Sequence, residues 1–373
     1  MLRVVAALIL VAGLTGPADA QHLPDAVAEA YVAYTEAVEA GDYEAAARSA
    51  RTAWRAAESG GVDAETTAIL ADNYAQLASA LVEHAGAGDA YETAAGLLNQ
   101  AGAAGELVAD TWILAANAAL NAGDHRGTIQ RADTAGDLAE SLDEIDPARR
   151  AGLVFFSRSL HANALWLDGR PRGAGMRAAE AMAAAEGHDL APNPRYGLTA
   201  FILGAANALE LDFDAAAFRF AEALEYMESE RRGLSIWAQY ARSRLDEDER
   251  LDLLARLDAA GLIDPGDEED AGAPDEVDRP DGWIDAEPIR RRPPEYPFNV
   301  RQAGAEGLAL IEFTIDERGR TRDIEVVISV PFSDFGAAAV EAVEDWRYTP
   351  ASVNGDAVRR DGLITQFEYT MAD

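Results

Sequence analysis

The stretch that decides the fold of the C-terminal part of this chain is GLALIEFTIDERGRTRDIEVVISV, residues 307–330. β-Branched and aromatic residues recur at alternate positions in residues 307–316, which predicts a β-strand. Residues 317–320 read as a turn, with Gly319 where a positive φ is needed. Residues 321–330 predict a second strand, with Ile324, Val326 and Ile328 on one face. We therefore expect an antiparallel β-hairpin.

The residues after the hairpin predict a helix and a closing strand. Pro331 ends the hairpin, and Ser333 or Asp334 is expected to cap the helix. The helix has one apolar stripe that should cover the hairpin, formed by Phe335, Ala339, Val343 and Trp346. A turn at 353–356 then leads into a predicted last strand, Leu363 to Thr370. The result is a small α+β domain, a three-stranded antiparallel sheet with a helix on one face.

The region before this domain predicts an all-α architecture. From Asp25 to about Leu262, alanine is abundant and apolar residues recur at three- and four-residue spacings. A glycine or another helix breaker recurs at predicted turns, at Gly41, Gly88, Gly123, Gly169 and Asp212. Helix–turn–helix units of this kind bury their apolar faces by stacking on one another. They resemble tetratricopeptide repeats, best at 30–57, 112–138 and 200–226; an irregular helical bundle is the alternative.

Two further segments divide the chain. Residues 264–286 are acidic and punctuated by proline and glycine, which predicts a disordered linker rather than a calcium loop, because the D-x-D-x-D-G ligand spacing is missing. Residues 1–20 have one arginine, an apolar run and an Ala-Asp-Ala cleavage signal, typical of a cleaved signal peptide. The expected organisation is therefore a signal peptide at 1–20, a helical-repeat domain at 21–263, a linker at 264–286 and the α+β domain at 287–373.

Several motifs of the α+β domain resemble the C-terminal domain of the TonB family. Pro294-Glu295-Tyr296-Pro297 is similar to the Tyr-Pro motif of that family, and residues 313–316 with Gly319 are similar to its hairpin. Residues 342–351, AVEDWRYTPA, resemble the end of its helix, and Gly355 and Phe367 complete the series. The resemblance covers about 85 residues and implies a protein-binding domain that accepts a strand from an outer-membrane transporter beside its last strand.

The resemblance also implies where a partner would bind. The candidate partner-binding residues are Tyr296, Pro297, Leu363, Ile364, Thr365, Gln366, Phe367, Glu368 and Tyr369. For Tyr296 and Trp346, a place in the core is the alternative to direct partner contact. Arg290, Arg291 and Arg292 would either steer an acidic partner surface or form a solvated basic run.

Three functional interpretations remain open. The first is a periplasmic adaptor, with one protein bound by the repeats and an outer-membrane transporter or another envelope protein bound by the C-terminal domain. The second is a TonB energy transducer anchored in the inner membrane, although the N-terminus lacks the histidine and the long spacer that the family implies. The third is an envelope scaffold that binds peptidoglycan or envelope protein. Homodimerisation through the C-terminal domain is possible under each of them.

Composition excludes other classes of function. The net charge of -35 argues against nucleic-acid binding, because an acidic surface repels a phosphate backbone. The absence of cysteine excludes thiol catalysis and thiolate metal sites. No catalytic motif or cofactor fingerprint is found, and the five histidines are expected at surfaces or turns rather than in a metal site. We therefore expect a non-enzymatic protein without a cofactor.

Overall fold

The structure is a computed structural model that describes residues 23–188, 193–227, 231–260, 262 and 279–371. The predicted signal peptide and residues 264–278 of the predicted linker lie outside the described residues. Within the described ranges, no helix has the length and apolarity needed to cross a membrane.

The helical prediction for the first part of the chain is confirmed. Twelve helices occupy the described residues before 262, joined mostly by short turns. They are α1 (Asp25–Glu39), α2 (Tyr43–Gly60), α3 (Ala64–Ala80), α4 (His84–Gln100), α5 (Gly105–Asn121), α6 (His125–Glu140), α7 (Pro147–Leu167), α8 (Pro171–Ala185), α9 (Pro194–Leu209), α10 (Phe213–Leu224), α11 (Arg231–Ser243) and α12 (Glu247–Ala259).

The Gly-Asp pairs act as turns in the way the sequence indicates. Gly41 and Gly123 have φ values of 71° and 77°, which glycine adopts at little cost. The aspartate that follows each of them is an N-cap: Asp42 accepts from the Ala45 N–H and Asp124 from the Gly127 N–H. Each pair therefore ends one helix and starts the next.

One predicted turn is wrong. Gly88 lies buried inside α4, where an added Cβ would stand 3.6 Å from the Ala119 nitrogen of α5. The turn before α4 is instead made by Val82, a β-branched residue at φ 66°. The glycine is therefore located where two helices approach closely, and not where the chain reverses.

One predicted histidine position is also wrong. His161 was expected at a surface or a turn, but it is 5% exposed in α7. Its Nδ1 lies 2.8 Å from Asp133 of α6, and Arg158 pairs with the same carboxylate at 3.1 Å. Burial of these polar groups is supported by that hydrogen-bonded network.

Two compact units divide the chain, at a place that differs from the predicted domain boundary. Of the described residues, the first comprises those up to 164 and 183–188, and the second comprises 165–182 and those from 193 onward. In the first, buried alanines surround a few large side chains such as Trp54, which stacks on Tyr74. In the second, helices α9 to α12 share one compact body with the C-terminal sheet domain.

The C-terminal domain has the predicted α+β fold. Its main sheet contains β3 (Gly307–Ile315), β4 (Thr321–Val330) and β8 (Arg360–Tyr369), ordered β4-β3-β8 with antiparallel pairing. Helix α14 (Ser333–Glu344) covers one face, and the predicted stripe of Phe335, Ala339, Val343 and Trp346 is at most 2% exposed. The remaining elements are β1 (Trp283–Ile284), β2 (Glu287–Arg290), α13 (Phe298–Gln302), β5 (Arg347–Thr349), β6 (Ala351–Val353) and β7 (Asp356–Val358).

The predicted cap of α14 is wrong. Phe332 is the N-cap residue, and the Gly336 N–H at the start of the helix donates to Ser329 Oγ of β4. The same hydroxyl donates to the Phe332 carbonyl. A long-range serine therefore satisfies the helix start in place of Ser333 or Asp334.

The linker prediction extends too far. Trp283 and Ile284, which the sequence assigned to the linker, form β1 and pair with Val353 and Ser352 of β6. Asp285 holds Arg360 at 3.1 Å. The structured C-terminal domain thus includes residues before 287, because this short strand has a partner far along the chain.

The central strand β3 is buried on both faces. Ala309, Ile311 and Phe313 belong to the core under α14. Leu308 and Leu310 alternate with them, and both are 0% exposed. On their face Gly233 of α11 lies so close that an added Cβ would be 3.4 Å from the Val327 carbonyl oxygen and 3.5 Å from Ile328. Helix α11 therefore packs against the second face of the sheet.

Candidate partner-binding site

Strand β8 lies at an edge of the main sheet. Among the described strands it pairs with β3 alone, in a continuous register from Phe313↔Leu363 to Gly307↔Tyr369. An edge strand has a row of backbone N–H and C=O groups that face away from the sheet, and these groups can pair with an added strand. The structure thus places the seven candidate residues 363–369 together along one edge.

The side chains of β8 alternate between the two faces. Leu363, Phe367 and Tyr369 pack into the core under α14. The Phe367 ring lies 5.6 Å from that of Trp346, and the Tyr369 hydroxyl donates to the Phe335 carbonyl at 2.9 Å. Burial raises the pKa of Tyr369, so its hydroxyl stays protonated and donates this bond. These side chains hold the strand in place and leave its backbone edge for a partner.

The Gln366 side chain lies on the face of the sheet that packs on α9 and α11. Trp237 Nε1 of α11 donates to Gln366 Oε1 at 3.3 Å, and Gln366 Nε2 donates to the Ala208 carbonyl of α9 at 3.4 Å. Gln366 Nε2 also donates to Glu368 at 3.1 Å. A candidate partner-binding residue is therefore bonded within the molecule by helices that the sequence placed in another domain.

Tyr240 of α11 reaches the backbone of the same strand. Burial raises the pKa of the Tyr240 phenol, while Arg244 and the Gln366 backbone N–H act in the opposite direction. Helix α11 therefore lies close to β8 at Tyr240 as well as at Trp237.

Tyr296 is part of the packing around the end of β8. Its ring meets the Tyr369 ring edge-on at 5.5 Å, and its hydroxyl donates to the carbonyls of Ala305 and Tyr369. Burial raises the pKa of this phenol. Trp346 is 2% exposed and donates from Nε1 to the Arg292 carbonyl at 2.8 Å. Both aromatic residues have the geometry of core positions.

Pro297 lies at a different surface from the β8 backbone edge. It is the N-cap of α13 and, with Phe298, lines a groove of about 590 Å³ against α14. The Phe298 side chain is 70% exposed, and Ala338 and Ala342 form part of the groove. Tyr296 lines the same groove, and its hydroxyl also reaches the end of β8.

The arginine run contacts the domain. Arg290 donates to the Asp345 carbonyl at the end of α14, at 2.7 Å. Arg291 lies over the Trp346 ring, 4.2 Å from its centroid, and donates to Thr365 Oγ1 at 3.3 Å. Arg290 thus places a positive charge at the C-terminus of α14, the negative end of the helix dipole. Arg291 places a positive charge beside β8.

Sequence reasoning missed Trp237, Tyr240 and Ala208. Leu234, Trp237, Ala238 and Ala241 form an apolar stripe on α11, which was interpreted as one more helix of the repeats. A signal was present in the strand: residues 307–311 are apolar or glycine at every position, as expected for a strand buried on both faces. No group of three or more potential metal ligands occurs in the described ranges.

Comparison with known proteins concerns the C-terminal domain. Residues 292–371 match the family model described as Gram-negative bacterial TonB protein C-terminal. The chain is 38% identical over 76 residues to Protein TonB of Pseudomonas aeruginosa, which is 20% of this chain and 22% of that relative. It is also 34% identical to the solution NMR structure of the Pseudomonas aeruginosa TonB CTD, covering 24% of this chain and 89% of the other, with a TM-score of 0.22. The chain thus spans about a fifth of the length of its curated relative.

Proposed function

We propose that this chain is a non-enzymatic protein of the bacterial envelope whose C-terminal domain binds a partner protein by strand addition at β8. The observation that carries the proposal is the edge position of β8 in a domain that matches the TonB C-terminal family. Backbone pairing with an edge strand supplies affinity, and the side chains at alternate positions supply specificity. The partner we propose is an outer-membrane transporter or another envelope protein.

The charge around β8 is compatible with this mode of binding. Arg291 lies beside Thr365, and Arg359 and Arg360 lie at the start of the strand. Arg359 is paired with Asp323 and Asp361, and Arg360 with Asp285, so these two charges are balanced within the domain. An acidic side chain of a partner that lies beside Thr365 would be attracted by Arg291.

The helices before the C-terminal domain are proposed to act as tetratricopeptide-like repeats that bind a second protein. Helical hairpins that stack through alanine faces leave a continuous surface for a protein ligand. With a signal peptide at 1–20, the protein would work in the periplasm as an adaptor. The second candidate is an inner-membrane-anchored TonB transducer. N-terminal sequencing of the purified protein distinguishes the two, because a start at Gln21 supports the adaptor and a retained Met1 supports the anchor.

The decisive experiment uses Glu368→Pro in the full chain. Proline removes the backbone N–H of Glu368 from the edge strand, a position in a sheet where proline is tolerated. Binding would be measured by fluorescence polarisation with synthetic peptides copied from the N-terminal segments of outer-membrane transporters. We expect Glu368→Pro to weaken binding about tenfold or more, the effect of about 1.5 kcal/mol of lost hydrogen bonding. Glu368→Ala removes the same side chain and should bind within about twofold of the wild type.

Three results would redirect the proposal. Unchanged peptide binding by Glu368→Pro, with an unchanged circular dichroism spectrum, would exclude strand addition at β8. Co-sedimentation with isolated peptidoglycan sacculi, together with no binding of the transporter peptides, would favour the envelope scaffold. Self-association of the protein that rises with its concentration, measured without peptide, would indicate that two copies pair through the same edge.

A further inference from the structure

A small cavity lies in the helical region, within the first compact unit. Its volume is about 280 Å³, just below the range of about 300–1,000 Å³ that is usual for ligand pockets. Polar side chains from α2, α3 and the turn after α3 form most of its lining, namely Glu44, Arg48, Arg51, Tyr74 and Glu83. A cavity of this size and polarity can hold one charged side chain or a small organic ion.

Tyr74 contributes a hydroxyl without a protein partner. The residue is 4% exposed, and its ring stacks on Trp54 with the ring centroids 5.7 Å apart. Its hydroxyl oxygen lies against Gly86, where an added Cβ would be 2.5 Å away. No hydrogen-bond partner for this oxygen occurs in the described part of the chain, although the oxygen is not sealed from solvent. Because polar groups at such buried positions are normally paired, the hydroxyl is available to a ligand.

Arg48 and Arg51 contribute positive charge to the same cavity. They are three residues apart on α2, so their side chains lie on the same side of the helix. The Arg51 guanidinium is 5.8 Å from the centroid of the Tyr74 ring. Neither arginine forms an ion pair with any carboxylate that the structure describes, whereas Arg55, one turn later, pairs with Glu58 at 2.8 Å. In a chain with 66 acidic and 31 basic residues, two such guanidinium groups side by side are available to an anion.

The ligand chemistry follows from these donors and from two acids beside them. Burial raises the pKa of the Tyr74 phenol, so its hydroxyl is protonated at neutral pH and can donate. A guanidinium binds a carboxylate through two parallel hydrogen bonds. Glu44 and Glu83 are exposed and also line the cavity, so a phosphate group, with up to about two negative charges, would be repelled more strongly than a carboxylate. The donors and the acids together favour a ligand with a single carboxylate.

We propose that this cavity binds a single carboxylate group, with the Tyr74 hydroxyl donating one hydrogen bond and Arg48 and Arg51 balancing the charge. The carboxylate belongs to an acidic side chain of a bound protein or to a small organic acid. The site uses the helical region alone, so it goes beyond strand addition at β8 and stands independently of it. An acidic side chain in this cavity would give the second protein proposed for the repeats a defined point of contact.

The test is an NMR titration of the full chain with three probes. The peptide acetyl-Gly-Glu-Gly-amide presents one acidic side chain, and acetyl-Gly-Gln-Gly-amide is its uncharged match. Butyrate presents the same carboxylate as a small organic acid. The backbone amide shifts of Ala47, Tyr74 and Leu81 report on the cavity, because all three residues line it.

Three variants separate the cavity from the general charge of α2. Tyr74→Phe removes the hydroxyl and keeps the ring that stacks on Trp54. Arg51→Gln removes one of the two charges. Arg55→Gln is the matched control, because it removes an equal charge one turn later, from a side chain that pairs with Glu58 and does not line the cavity. Circular dichroism checks that each variant is folded.

The acidic peptide should shift the three amides and bind at least about tenfold more tightly than the glutamine peptide, as expected for hydrogen bonds to a charged group. Tyr74→Phe and Arg51→Gln should each weaken this binding about three- to tenfold, and Arg55→Gln should change it by less than about twofold. Shifts with butyrate but not with the acidic peptide would support the site and assign it to small organic acids.

Equal binding of the two peptides, or the same loss in Arg55→Gln as in Arg51→Gln, would overturn the carboxylate site. An absence of shifts with every probe would overturn it as well, because the cavity would then hold water only. Binding of the transporter peptides at β8 is a separate measurement, so the failure of either proposal is recognised without the other.

Discussion

Both faces of the central strand β3 are buried, but they are covered by helices from two different regions of the chain. One face packs on α14, which follows β4 directly and shares its core with Phe313 and Trp346. The other face has Leu308 and Leu310 at 0% exposure and packs on α11, about seventy residues earlier in the sequence. The difference shows that the C-terminal domain and the last helices complete one another, although an acidic segment separates them in the chain.

The largest expected effect comes from Leu310→Ala, which acts only on the face of the sheet that packs on α11. Removing a fully buried leucine should lower the free energy of unfolding by about 2–5 kcal/mol. Urea denaturation followed by circular dichroism would measure it, with Val326→Ala, at a 38% exposed position on β4, as the control. A loss below about 1 kcal/mol would mean that the face is not covered by α11 in solution.

This comparison also explains how much of the fold the sequence predicts. The α14 face was predictable, because Phe335, Ala339, Val343 and Trp346 recur at helical spacing close to the strands that they cover. The packing of α11 on the other face was not predicted. The helix that covers Leu310 has an apolar stripe like that of any helix in a repeat. Local patterns give the period of an element, whereas the identity of a distant partner depends on tertiary packing.

The same reasoning accounts for the smaller errors. Val82 adopts a positive φ that its side chain disfavours, and no local rule would choose it over Gly88 for a turn. His161 is buried through Asp133, which lies 28 residues away. For the candidate site, the strand 363–369 was predicted from the family resemblance, while Tyr240 and Trp237 beside it were not. Their contribution depends on the packing of α11, which the sequence analysis did not predict.

A middle-sized effect is expected for Trp237→Phe. The ring stack on Phe220 is largely kept, but the hydrogen bond from the indole to Gln366 and part of the ring volume are lost. We expect a loss of about 1–2 kcal/mol in the free energy of unfolding. The same denaturation experiment measures it, and Trp283→Phe, at a half-buried position in β1, serves as the control. If Trp237→Phe and the control lose the same free energy of unfolding, the hydrogen bond from Trp237 to Gln366 does not stabilise the fold.

The smallest effect is expected at Asp316, on the turn of the hairpin. Its burial would raise the pKa of the carboxyl, but backbone N–H groups of Arg320 and Arg318, followed by the Arg320 side chain, outweigh this and lower it. A lowered folded-state pKa means that this stabilisation is present above about pH 3.8 and is lost as the pH falls further. We expect Asp316→Asn to be slightly less stable at pH 7 and to equal the wild type near pH 2. Equal stability at pH 7, measured by thermal unfolding, would contradict the role of these bonds.

The central claim is that the binding strand and helix α11 form one cooperative structure. Hydrogen exchange of the full-length Leu310→Ala variant, monitored by mass spectrometry, tests it most directly. If the claim holds, protection falls together in residues 360–369 of β8 and in residues 231–243 of α11, by the same free energy within error. Loss of protection confined to the sheet, with α11 exchanging as in the wild type, would contradict it and would mean that the C-terminal domain folds without the helices.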